Sequence, residues 1–259
     1  MAYRTRVSFP KIRITQIQRR HFRLKAGNIV SMDITPMPEE SDHLSPVAHE
    51  QRGLSADHRM FSPSAAQNSA PILEVMKRIL PITGVVLEIG CGTGEHAVCF
   101  AEAMPYLIWQ PSDTDNDSRA STASWTKFIG LKNVLAPLDI NVCSILWGVE
   151  EKAPFDVIVS INMVHIAPWA ASLGLFAGAG RLLSDGGILV LYGPFMHDGL
   201  HNAASNADFD ASLKARNPSW GVRDIADLER IGVASGLSRR EVIEMLSNNA
   251  IVVFSKDSS

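Results

Sequence analysis

Residues 85–96 read Val85-Val86-Leu87-Glu88-Ile89-Gly90-Cys91-Gly92-Thr93-Gly94-Glu95-His96, and the fold turns on them. The five-residue opening, apolar but for Glu88, suits a short strand buried on both faces of a sheet. Glycines at alternate positions then let the backbone turn tightly and approach a ligand with no side chain in the way. A helix follows from about Glu95 to Met104. Strand, glycine turn and helix in this order form the first crossover of a doubly wound parallel sheet, whose mouth is where such folds bind nucleotides.

Working outward, helices and strands alternate from Asp57 onward, the order that builds a parallel sheet with helices on both faces. Pro71 opens a helix with Ile72, Leu73, Val75, Met76, Ile79 and Leu80 on one side, and Pro81 stops it. After the glycine turn, further strands are expected at Leu107 to Trp109, Asn133 to Leu138, Phe155 to Ile161, Ile188 to Tyr192, Arg240 to Met245 and Ala250 to Phe254. Helices are expected at Asp117 to Ile129, Ala170 to Leu183 and Ile225 to Ser235, with a short one at Ala207 to Ala215 inside a long polar connection. The expected fold is α/β: a doubly wound, seven-stranded, mostly parallel Rossmann-like sheet.

The 259 residues, 46% hydrophobic and 20% charged, suit one globular domain of about 200 residues with an appendage. Charge is unevenly placed. Arg4, Arg6, Lys11, Arg13, Arg19, Arg20, Arg23 and Lys25 precede the first acid, Asp33. Taking those eight from 24 basic residues, against 27 acidic, leaves a body near −11. An acidic body argues against a duplex-binding surface, so no nucleic-acid partner is expected. Residues 1–56 carry Pro10, Pro36, Pro38 and Pro46 and read as a poorly ordered basic-then-acidic extension, with 57–259 as the domain. A basic arm, an organelle-targeting signal or a start codon placed too far upstream are its alternatives.

Cys91, Cys99 and Cys143 are too widely spaced for a disulfide scaffold or a Cys-x-x-Cys metal site, and a reduced, cytoplasmic compartment is expected. His197, Asp198 and His201 stand in a glycine-containing loop without further clear ligands, so no metal is expected. The longest uncharged stretch, Val157 to Gly180, contains Asn162, His165, Pro168 and three glycines, which break any spanning helix; no membrane association is expected.

Details of the turn separate possible ligands. A dinucleotide fingerprint needs Gly-x-Gly-x-x-Gly, whereas here the third glycine comes one residue early, at Gly94. Glu95 would meet a pyrophosphate at the helix N-terminus repulsively. With Glu88, the turn forms an acidic-x-Gly-x-Gly-x-Gly string that resembles motif I of the class I S-adenosylmethionine-dependent methyltransferases. Longer blocks narrow the resemblance: Phe61-Ser62-Pro63-Ser64-Ala65-Ala66-Gln67-Asn68-Ser69-Ala70-Pro71-Ile72, Trp109-Gln110-Pro111-Ser112-Asp113, Asn162-Met163-Val164-His165-Ile166-Ala167-Pro168-Trp169 and Leu191-Tyr192-Gly193-Pro194-Phe195. These are similar to blocks of the methyltransferase-like protein 26 family, over about Asp57 to Phe254. Gln67 departs from it where a basic residue is expected.

The resemblance implies the class I methyltransferase fold, with the last strand of the sheet antiparallel, and S-adenosylmethionine as cofactor. Glu88, Gly90, Cys91, Gly92 and Gly94 would lie along its methionine part. Asp113, ending the second strand, would accept from the ribose hydroxyls, and Asp139 from the adenine amino group, with Ile140 covering the ring. Asp at a strand end is also an ordinary cap or turn residue. Asn162 is read as orienting a substrate amide or the cofactor's carboxylate, and Asn68 as reaching inward or capping a helix.

For the reaction itself, Asn162, His165 and Tyr192, with Phe195, fall at the carboxyl ends of the strands beside the transferred methyl. His165 suits proton transfer at neutral pH; its plain alternative is a backbone hydrogen bond in the turn. The acceptor is expected to be a small molecule. The competing readings are a cofactor-binding protein without turnover and a nicotinamide-dependent oxidoreductase.

Overall fold

The computed structural model describes residues 53–55 and 57–258; most of the expected N-terminal extension lies outside them. Gly53–Leu54 pairs antiparallel with Met60–Phe61. The central sheet holds β1 (Gly84–Ile89), β2 (Leu107–Ser112), β3 (Phe155–Ile161), β4 (Leu183–Gly193), β5 (Leu237–Glu244) and β6 (Ala250–Lys256), in spatial order β5-β6-β4-β3-β1-β2. Strands β2, β1, β3 and β4 are parallel, and β6 runs antiparallel to both β4 and β5.

Six strands stand where seven were expected, and the missing one is Asn133 to Leu138. That segment touches the sheet only through isolated bridges from Val134 to Trp109 and from Leu138 to Ser112. Two prolines explain the break. Trp109 donates to the Asn133 carbonyl at 2.7 Å and Leu135 donates back to Trp109 at 2.8 Å, but Pro111 and Pro137 have no N–H to continue the ladder. Pairing resumes one residue out of step, with Leu138 donating to the Pro111 carbonyl and Asp113 to the Leu138 carbonyl, both at 3.0 Å. The Gln110 side chain donates to the Ala136 carbonyl left over, at 2.8 Å.

Both faces of the sheet are covered. On one, α1 (Pro63–Ile79) and α2 (Glu95–Ala103) bury Ile72, Met76, Ala97 and Phe100 against Val86, Val159 and Val190. On the other, α4 (Trp169–Leu182) and α6 (Ile225–Ala234) bury Leu175, Phe176 and Leu228 against Leu87, Ile158 and Leu189. Strands buried on both faces account for the near-continuous apolar runs. Helix α3 (Asn116–Ile129) follows β2, and α5 (Ala204–Arg216) lies within the long connection after β4.

Helix α1 begins at Pro63, eight positions before the expected start at Pro71. The Ser62 hydroxyl accepts from the Ala65 N–H at 3.3 Å and Pro63 occupies the first turn, which together make a good helix start. Pro71 lies inside the helix.

Candidate active site

The site is built where β1, β2, β3 and β4 end. Gly90, Gly92 and Gly94 have φ of +76°, +54° and +86°, the left-handed region where a side chain costs about 1–2 kcal/mol. Most of the glycine turn's amides bond to the protein: Gly90 and Cys91 donate to the Ser112 carbonyl at 2.9 Å, and Gly94 to the Cys91 carbonyl at 3.0 Å. Gly92 donates to Asp113 Oδ2 at 2.9 Å, and the other Asp113 oxygen accepts from the Asp115 N–H at 2.9 Å.

Glu88 is buried, with Oε2 accepting from Trp109 Nε1 at 2.6 Å. Burial raises its carboxyl to about 7, the indole bond opposing and the nearby Asp113 charge reinforcing the shift. Cys91 turns away from the mouth: its Sγ meets Thr122 Oγ1 at 3.3 Å, and burial pushes the thiol well up. Glu95, weighed in the sequence as a charge facing the ligand, instead accepts from the Ser62 N–H at 2.7 Å and the Thr93 hydroxyl at 2.9 Å. It fastens the start of α1 to the glycine turn.

Asp139 is exposed and lies 3.3 Å from an Arg119 nitrogen, while Arg119 also donates to the Asp113 and Thr114 carbonyls. Ile140 is buried in the core beside Leu138. The donor set fits a ligand without phosphate. Glu88, Asp113 and Asp139 stand near the turn, the N–H groups of Gly90, Cys91, Gly92 and Gly94 are already engaged, and a cationic or neutral group is the favourable occupant.

At the β3 and β4 ends, Asn162 has φ +56° and its N–H donates to the Tyr192 carbonyl at 2.9 Å. His165 is buried in the short turn after β3, and its Nδ1 has no hydrogen-bond partner. The expected backbone bond from its ring is therefore not made through Nδ1. Burial, with a smaller contribution from Arg223, lowers the imidazole to about 3, so it is neutral at pH 7. Phe209 of α5 packs edge-on against the ring, centroids 5.8 Å apart.

The connection after β4 is tied down over this turn. Arg223 donates to the carbonyls of Val164 at 2.9 Å and Ser219 at 3.3 Å, and also to Ala167. Gly221 donates to the His165 carbonyl at 3.0 Å. Asp210 is buried and accepts from Lys214 at 2.6 Å and the Val222 N–H at 2.8 Å, with His201 Nε2 at 3.5 Å.

Asn68 and Tyr192 come together, with two residues that sequence reasoning missed. Asn68 Oδ1 bonds His96 Nε2 at 2.8 Å, and Asn249 Nδ2 donates to the Tyr192 hydroxyl at 3.1 Å. His96 follows the glycine string directly and Asn249 precedes β6, so their positions, though not their pairing, were readable.

The same fold is found in solved O-methyltransferases. An O-methyltransferase family protein from Burkholderia thailandensis is similar at TM-score 0.64 and 17% identity, over 76% of this chain and 58% of that one. CalO1, a methyltransferase in calicheamicin biosynthesis solved with SAH bound, matches at 0.59 and 18%, over 74% and 54%. An O-methyltransferase family 2 protein from Planctomyces limnophilus DSM 3776, in complex with apigenin, matches at 0.60 and 16%, over 74% and 60%. The chain thus spans less than two thirds of the length of each. A family described as "Protein of unknown function (DUF938)" matches residues 59–256, and the chain belongs to that family.

Proposed function

We propose that this protein is an S-adenosylmethionine-dependent methyltransferase acting on a small-molecule acceptor, and that its family corresponds to the methyltransferase-like protein 26 family. The observation that carries the reading is the glycine turn: acidic surroundings, the amides of Gly90, Cys91, Gly92 and Gly94 spent on the protein itself, and Asp113 held at the end of the adjacent strand. Those features suit a cationic cofactor and disfavour a pyrophosphate. The O-methyltransferases of the same fold support the class.

Bound there, S-adenosylmethionine supplies an electrophilic methyl group. Glu88, Gly90, Cys91, Gly92, Gly94 and Asn68 would form or support the surface along its methionine part, Asp113 would hold the ribose, and Asp139 and Ile140 the adenine. For Asp139 this requires turning from Arg119, which its exposed carboxylate is free to do. The protein's remaining work is to position the acceptor and exclude water.

His165 acts on an acceptor hydroxyl. An imidazole lowered to about 3 is a poor base for a resting alcohol but a good hydrogen-bond acceptor through Nδ1. It orients the oxygen lone pair and takes the proton once the oxygen carries the methyl and has become strongly acidic. Phe209 covers the ring and has to move aside as the acceptor enters. Asn162, in a left-handed conformation of the kind that concentrates at functional sites, orients the cofactor's amino acid or the acceptor.

Methyl release from radiolabelled cofactor against a metabolite extract tests turnover. Product formed only with the extract is expected; binding without turnover would leave a cofactor-binding protein. His165→Ala with unchanged transfer and unchanged fold stability would remove the histidine's role.

A further inference from the structure

Four segments distant in sequence converge on one phenol. Tyr192, near the end of β4, has a buried ring on the α1/α2 face of the sheet. Asn249, in the loop before β6, donates to its hydroxyl at 3.1 Å. The Asn68 side chain, from α1, lies near enough to act on the same hydroxyl, and both amides favour its ionised form. That is the action of an amide N–H on a phenol oxygen.

The orientation of Asn68 follows from its other partner. Its Oδ1 is engaged by His96 Nε2 at 2.8 Å, which leaves the amide N–H₂ for Tyr192. Burial lowers His96 to about 4, so the ring is neutral at pH 7, and because Asn68 Oδ1 can only accept, the tautomer in this bond carries its proton on Nε2. Two bonds therefore have a set direction: His96 donates to Asn68 Oδ1, and Asn249 donates to the Tyr192 hydroxyl.

A phenol oxygen has two lone pairs and one proton. Asn249 donates to one lone pair, and Asn68, whose Oδ1 is taken by His96, has only its amide N–H groups left, so neither residue accepts the phenol proton, which is available to a third group. Among the described residues, no hydrogen bond donated by this hydroxyl is made. The cluster also contains no lysine or arginine, so a ligand anion at this place would depend on neutral donors.

Building on the S-adenosylmethionine reading, we propose that the Tyr192 hydroxyl is a dedicated hydrogen-bond donor to the cofactor's amino-acid carboxylate, with His96, Asn68 and Asn249 as the groups that aim it. Strand order supports this. Asp113 ends β2, the glycine turn ends β1, and Tyr192 stands on β4, three strand spacings or about 14 Å from β2. A ribose followed by an aminobutyrate chain covers a comparable span. A cofactor anchored by its ribose at Asp113 and crossing the glycine turn brings its carboxylate to the Tyr192 side.

The test is calorimetric titration of the full chain with S-adenosylhomocysteine and with 5′-methylthioadenosine, which keeps the adenosine and sulfur but lacks the amino acid. Wild type is expected to bind both. Tyr192→Phe should weaken S-adenosylhomocysteine about tenfold, the scale of one hydrogen bond to a charged group, and leave methylthioadenosine within twofold. Asn249→Ala, a change in a loop, should give the same selectivity at about threefold and should raise the tyrosine pKa followed by ultraviolet absorbance. Unchanged S-adenosylhomocysteine binding in Tyr192→Phe, or equal weakening of both ligands, would overturn the inference and leave the methyltransferase reading standing. A wild type that binds neither ligand would overturn both.

Discussion

His165 lies in space that Gly193 vacates: a Cβ added at Gly193 would stand 2.8 Å from His165 Cε1 and 3.0 Å from its Nδ1. The imidazole and the end of β4 are thus fitted to one another, and the glycine is a condition for the histidine's position. Gly193→Ala should displace the ring, costing about 1–3 kcal/mol as overpacking does. Methyl transfer should fall by at least tenfold while S-adenosylhomocysteine binding stays within about twofold. Retained transfer at wild-type rate would show that the ring's place is immaterial.

The glycine turn is expected to be far less tolerant than other left-handed glycines. Gly130, at the end of α3, has φ +80° with nothing within 4 Å of an added Cβ, whereas a Cβ at Gly94 would stand 2.6 Å from the Thr122 Cα. Gly130→Ala should cost about 1 kcal/mol from the backbone alone. Gly94→Ala should cost at least twice that in urea unfolding and should abolish cofactor binding. Equal costs at the two positions would contradict the packing described.

Stability should pass through a maximum near pH 6.5. Burial holds His96 at about 4 and His165 at about 3, against an ordinary 6.5. Each contributes stability that is complete above 6.5 and is lost as pH falls toward the folded value. Glu88 has the opposite sign. Its carboxyl is raised from 4.5 to about 7, so stability is lost as pH rises between those values. Two histidines outweigh one carboxyl below 6.5, and above it only Glu88 still titrates. Glu88→Gln keeps an acceptor for Trp109 and should gain about 3 kcal/mol at pH 8 relative to its effect at pH 4. Thermal melts across pH check this; a variant whose effect does not change with pH would contradict it.

Arg223 clasps the segment between β4 and α6 by bonding carbonyls on both sides, Val164 and Ala167 in the turn after β3 and Ser219 in the segment itself. Arg223→Met should speed protease cleavage within residues 193–224 several-fold and raise hydrogen exchange there, with the melting temperature of the sheet changed by only a few degrees. Cleavage unchanged in that segment would show that the clasp does not hold it.

How much of this was legible depended on whether the cause was local. The glycine turn and the apolar strands could be read because alternation, turn chemistry and strand length are written in neighbouring residues, whereas the antiparallel β6 was expected only from the resemblance. The edge segment at Asn133 to Leu138 reads as a strand by composition, and it fails because Pro111 on the neighbouring strand and Pro137 within it remove the N–H groups that would join them. Pro137 was a visible warning. The early start of α1 is likewise signalled by Ser62-Pro63, a less conspicuous mark than Pro71. Glu95 shows the other limit. Its partner Ser62 is 33 residues away, and no local pattern reports that the carboxylate faces its own chain. The same holds for His96 with Asn68 and Tyr192 with Asn249.

The central claim is that this turn holds S-adenosylmethionine and not a dinucleotide. Calorimetric titration of the full chain with S-adenosylhomocysteine and, separately, with NAD tests it most directly. Saturable one-to-one binding of S-adenosylhomocysteine, weakened at least tenfold by Asp113→Ala, with no heat from NAD, is the expected result. Binding of NAD with no response to S-adenosylhomocysteine would contradict it.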